Sequence, residues 1–212
     1  MKHLIIIGAR GWGRECLWTA QNAKGYKTHY DIKGFLDSNH HALDGLKGTF
    51  PPILGAVEDY LPQPDDVFFC AMGDPKWRKH YAEIIENKGG VFMSLISPLA
   101  ILNENTTIEP GCSIGANAII SDNVTIKKHT LIHGFCTIGH DCYLDEYSSL
   151  FSYVFLGGNS YIGKMSVMQP KSMIIPNKNI GDNVIVGAGS VVMRNIKDGL
   201  HVHGNPAVRI DY

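Results

Sequence analysis

The sequence predicts two domains of different kinds: a small parallel α/β domain followed by an all-β parallel β-helix. Three observations predict this. Residues 1–93 alternate strand and helix signals. From Ile96 to Val192 an aliphatic residue recurs every six positions, seventeen times without a slip. The fourth residue after each is mostly small, Lys178 being the main exception. Alternating strands and helices build a parallel sheet with helices on its faces. A period of six fits neither the 3.6 of an α-helix nor the 2 of an ordinary strand. It is the repeat of a parallel β-helix.

The first domain, residues 1–93, opens with the apolar run Leu4–Ile7, a short buried strand ending at Gly8. Residues 14–24 carry helical spacing at Cys16, Leu17, Ala20 and Ala23. Residues 31–37 and 66–73 read as the second and third strands. Residues 74–88 read as a helix with Asp74 as N-cap and Pro75 in the first turn. Residues 91–96, VFMSLI, read as a fourth strand. The domain is thus a small Rossmann-like sheet.

The second domain spans residues 94–212. Each hexapeptide makes one flat face, and three faces close a triangular coil. The aliphatic residue points inward, and so does the small one, beside a corner with no room for more. Coils stack about 4.8 Å apart, and each contacts only its neighbours. Residues 96–192 give roughly five to six coils.

Composition narrows the function. The chain has 212 residues, 44% hydrophobic and 18% charged, as a soluble globular protein does. Net charge is −1 and no Lys/Arg run occurs, which argues against nucleic acid and anionic membranes as partners. The first apolar run is four residues long, too short for a signal peptide or a membrane span. The five cysteines show no CxxC or metal spacing and read as reduced, small apolar residues of a cytoplasmic protein.

Two constellations carry chemistry. Gly8, Gly11, Trp12 and Gly13 lie in GARGWG, between a strand and a helix. The order is not the G-x-G-x-x-G of dinucleotide binders, but a glycine turn at a helix N-terminus offers N–H groups to a pyrophosphate. Asp37 ends the second strand, where an acid can hold a ribose hydroxyl or a base edge. Gly73 and Asp74 end the third, and ligands sit at this edge of a parallel sheet. The other constellation is IGHD, residues 138–141. With Ile138 and Cys142 facing inward, His140 faces out. It is either a solvated corner residue or a general base, with Asp141 beside it to orient the ring. His133 lies near the preceding corner, and His129, after two lysines, reads as solvated.

The run of [LIV]-G-x-x-small-x hexads resembles the left-handed β-helix of the hexapeptide acyltransferases. GARGWGRE, GFLD, IGHD, LGGNSYIG and GNPAVRI in this order resemble a narrower group, the N-acetyltransferases of nucleotide-linked amino sugars and the so-called sialic-acid O-acetyltransferases. The resemblance implies a nucleotide-sugar-binding first domain, acetyl-CoA as co-substrate, no metal, a cytoplasmic homotrimer and a nucleotide amino sugar as acceptor. It implies His140 as base with Asp141, Gly158 as N–H donor to the thioester oxygen, and coenzyme A near Gly158, Lys164 and Ala188. It also implies that His133 helps to position the acceptor.

Departures qualify it. The group often has Glu at the place of Asp141, and some relatives have His at Trp12 and Ser149; Tyr153 stands in a glycine place. Two alternatives therefore stay open: O-acetyl transfer to a sugar or sialic acid hydroxyl, and a non-catalytic trimeric scaffold. Trimeric zinc carbonic anhydrases share the β-helix, but residues 95–128 contain no His for their first ligand.

Overall fold

The computed structural model describes residues 1–210. It divides into two compact units, Met1–Ile96 and Ser97–Tyr212. In the first, a four-stranded sheet runs in the order β2 (Tyr30–Leu36), β1 (Lys2–Ile7), β3 (Asp66–Cys70), β4 (Val91–Phe92). All three pairings are parallel. Helix α1 covers Gly11–Asn22 and α2 covers Pro75–Asn87. β1 and β3 are central, so their side chains are buried on both sides: Leu4 to Ile7 and Phe68 to Cys70 are fully enclosed. α2 starts as its sequence demands, with the Asp74 carboxylate accepting from the Lys76 N–H at 2.8 Å.

Two boundaries differ from those read in the sequence. α1 begins at Gly11 rather than at residue 14, so Gly11 and Gly13 are in its first turn. VFMSLI is not one strand but two, Val91–Phe92 and Leu95–Ile96.

The second unit is a left-handed parallel β-helix. Every strand from Ile101–Leu102 to Val191–Val192 has two residues and ends on one of the predicted aliphatic positions. Each pairs in parallel with strands eighteen residues away; one stack runs Ile120, Ile138, Leu156, Ile174, Val192. The aliphatic residues from Ile114 onward are buried, whereas Ile96, Leu102 and Ile108 are half-buried, at the start of the stack where a coil follows on one side only. The small inward residues are buried as well, Cys112, Ser166 and Ser190 among them.

Each corner needs one left-handed residue. Positions 117, 123, 129, 135, 141, 147, 153, 159, 165, 171, 177 and 183 all have φ between 54° and 65°, and Gly111 and Gly189 continue the series. Asn or Asp fills half of the twelve, as the steric rules favour. The stack ends in a hairpin, with His201–His203 added in parallel to Ile185–Val186 and Val208–Arg209 antiparallel to it. Among the described residues no helix is long and apolar enough to cross a membrane.

Candidate active site

IGHD forms one corner of a coil. Ile138 and Cys142 point inward and His140 and Asp141 point out. Neighbours in the chain touch here because Asp141 takes the left-handed conformation, φ 58°, which folds its carboxylate back beside the ring. His140 Nδ1 lies 2.6 Å from Asp141 Oδ2. The corner is tied from both sides. The Asp141 N–H donates to Asp122 O on the preceding coil, and the His140 carbonyl accepts from the Asn159 N–H on the next. Asn123 Nδ2 donates to Asp141 Oδ1 at 2.6 Å. The Asn123 amide first, and then His140, holds the Asp141 carboxyl below its ordinary range.

Gly158 stands one coil above His140. A Cβ built on it would lie 2.6 Å from His140 Nε2. Only glycine leaves the ring this space. An ionised carboxylate accepts and does not donate, so Asp141 places the proton of a neutral ring on Nδ1 and leaves the Nε2 lone pair free. That atom can take a proton from a nucleophile.

The remaining β-helix positions lie elsewhere. Lys164 Nζ reaches Glu146 Oε2 at 3.4 Å, and this carboxylate raises the Lys164 pKa. Ala188 is exposed. His133 stacks on Phe151 at 4.8 Å. It precedes the strand Thr137–Ile138 and His140 follows it, so the two histidines occupy successive corners. His129 is not solvated: it is buried and stacks on Tyr147 at 4.9 Å, its ring against Gly111. Its left-handed corner φ turns the side chain onto the coil rather than into water. Tyr153 stacks on Phe135 at 4.9 Å and Ser149 is buried.

The first unit has a cavity of about 260 Å³ at the C-terminal edge of its sheet. Gly8, Trp12, Gly13 and Asp37 line it; Gly11, Gly73 and Asp74 are not among its lining residues. Gly8 takes φ +96° and donates to Leu36 O at 2.7 Å. Any Cβ on Gly13 would run into the Gly8 carbonyl, whereas one on Gly11 would meet open space. The Asp37 carboxylate accepts from Ala9 N at 3.0 Å and Asn39 N at 2.9 Å, which pins the glycine turn to the end of β2. Asp74 is engaged as the cap of α2. The buried Arg78 guanidinium donates to Met72 O and Gly73 O and fixes the turn after β3.

Sequence reading missed Arg10, Glu58, Trp77 and Tyr81, which also line the cavity. Trp77 and Tyr81 are four apart on α2 and their rings stack at 6.0 Å. That spacing was visible in the sequence; the face it would line was not. Arg10 sits at the N-cap of α1 but its side chain does not cap the helix.

Residues 3–85 match the PglD N-terminal domain family. A structure of the acetyltransferase domain of PglB from Neisseria gonorrhoeae, in complex with acetyl coenzyme A, superposes with a TM-score of 0.85 at 27% identity, covering 99% of both chains. The chain is a hexapeptide-repeat acetyltransferase. The perosamine N-acetyltransferase from Caulobacter crescentus, in complex with CoA and GDP-perosamine, shares the acetyltransferase's fold with a TM-score of 0.89 at 21% identity, covering 100% of this chain and 98% of that one. WeeI from Acinetobacter baumannii does so with 0.77 at 21%, covering 99% and 100%. No curated protein matches the acetyltransferase's sequence.

Proposed function

We propose that the protein transfers the acetyl group of acetyl-CoA to the amine of a nucleotide-linked amino sugar, with His140 as general base. The observation that carries this is the outward His140–Asp141 contact at 2.6 Å beneath a glycine that leaves Nε2 clear. The amine lone pair attacks the thioester carbonyl. Nε2 takes the amine proton as the C–N bond forms. Asp141 steadies the imidazolium. The tetrahedral oxyanion collapses, the C–S bond breaks, and the thiolate of coenzyme A leaves and is protonated. No acyl-enzyme is needed. In this reading the Gly158 N–H is the donor to the oxyanion, and coenzyme A follows the later coils past Lys164 and Ala188.

The cavity of the first unit is assigned to the nucleotide. The first turn of α1 and Arg10 take the phosphates, Asp37 with Glu58 the hydroxyl and base donors, and Trp77 and Tyr81 an apolar face. Gly73 and Asp74 shape the neighbouring turn. The relatives complexed with CoA and GDP-perosamine, and with acetyl coenzyme A, support both ligand classes. The assembly proposed is a cytoplasmic homotrimer, with His133 close to the acceptor. A screen of UDP-, dTDP- and GDP-linked amino sugars, reading free thiol released from acetyl-CoA, tests the reaction. Thiol release with free sugars or sialic acid but with no nucleotide amino sugar would replace it by O-acetyl transfer.

A further inference from the structure

We propose that Asn123 is a positioning residue for acetyl transfer, holding Asp141 so that His140 carries its proton on Nδ1 and presents Nε2 as the base. The inference rests on the reading of His140 given above. Asn123 and Asp141 are eighteen residues apart and occupy the same corner position of successive coils, both left-handed, with φ 54° and 58°. The stack brings the Asn123 amide to 2.6 Å from Asp141 Oδ1 and leaves Oδ2 for His140 Nδ1, also at 2.6 Å. A carboxylate on one methylene, exposed at a corner, has several rotamers open to it. An amide donor from the preceding coil selects the one that reaches the ring.

The other charged group at this corner is Asp122, which lies one coil before His140, and its Oδ1 takes a hydrogen bond from Asn105 Nδ2 at 2.7 Å. Gly158, on the opposite side, brings no charge. Asp141 is therefore the carboxylate hydrogen-bonded to Nδ1, and Asn123 the one side chain bonded to its second oxygen among the described residues. A neutral imidazole has two tautomers, and the partner of one nitrogen selects between them.

Asn123→Gly removes the amide and suits the left-handed corner. Asn123→Asp keeps the shape, tolerates the same φ, and replaces the donor by a like charge. Both are examined by ¹⁵N spectra of the His140 ring, assigned by their loss in His140→Ala, and by turnover. Wild type is expected to show one tautomer with the proton on Nδ1. Both variants are expected to lose that single signature and to lower kcat by about 10-fold to 10²-fold, as a misplaced base does, with the acetyl-CoA KM unchanged. An unchanged tautomer in both folded variants overturns the proposal. A changed tautomer with unchanged turnover upholds the hold of Asn123 on the ring and overturns instead His140 as the base.

Discussion

His140 Nδ1 lies 2.6 Å from Oδ2 of Asp141, the next residue in the chain. In an extended strand these two side chains would point to opposite faces. At this corner the left-handed φ of Asp141 brings them together. His140→Ala is therefore expected to lower turnover by about 10²–10⁴, the loss typical of a general base, with little change in coenzyme A affinity. A folded mutant with near-wild-type turnover on the true acceptor would remove His140 from the mechanism.

Gly158→Ala tests the space above the ring. Its Cβ would come within 2.6 Å of His140 Nε2, so the imidazole must move. A displacement near 1 Å costs about 10² in rate. The fold should survive, because the clash is with the end of a side chain. Unchanged kcat in a mutant with a wild-type circular dichroism spectrum would show that the base sits elsewhere.

The glycine turn separates folding from binding. Gly13→Ala should prevent the first domain from folding, since its Cβ meets the Gly8 carbonyl. Gly11→Val should fold, because nothing lies within 4 Å of a Cβ there. The added side chain crowds the N–H groups of the first turn of α1. The acceptor KM should rise steeply while acetyl-CoA affinity holds. An unchanged acceptor KM would move the nucleotide out of this domain.

Asp66 makes the first domain sensitive to acid. Its buried carboxylate accepts from Lys33 Nζ and the Tyr60 hydroxyl, both at 2.7 Å, and from Gln63 N at 2.9 Å. Burial alone would raise its pKa, but these donors outweigh burial and hold it low. A carboxylate depressed by folding stabilises above its unfolded pKa of about 3.9, and that share is lost as pH falls through the lower folded value. Asp66→Asn should cost about 1.5–3 kcal/mol at neutral pH and progressively less below about pH 4. Thermal melts at both pH values decide it; an equal deficit at each would contradict the assignment.

A trimer is expected in solution. Ile119, Phe155 and Met173 share one outer column of the β-helix and remain exposed. Apolar surface repeated in this way marks a face that associates. Light scattering at assay concentration should give three chains of 23.4 kDa. An active monomer would refute the assembly.

Much was legible in the sequence because the β-helix is quasi-one-dimensional. Its period of six determines which residues face inward, so the strand ends from Leu102 to Val192, the buried small positions and the outward direction of His140 all follow from counting. The cap of α2 was equally local: Asp74 bonds a residue two positions away.

What the tertiary structure decided is how corners and turns set side chains against one another. Asn123 reaches Asp141 only because eighteen residues bring the chain back to the same corner. His129 has a solvated-looking context, yet its corner dihedral lays it on Tyr147. Glu58, Trp77 and Tyr81 join the glycine turn only once the parallel sheet sets its C-terminal edges side by side. Local period determines direction, in or out. Contact between side chains distant in sequence depends on backbone dihedrals and stacking, which a hydrophobic pattern does not encode.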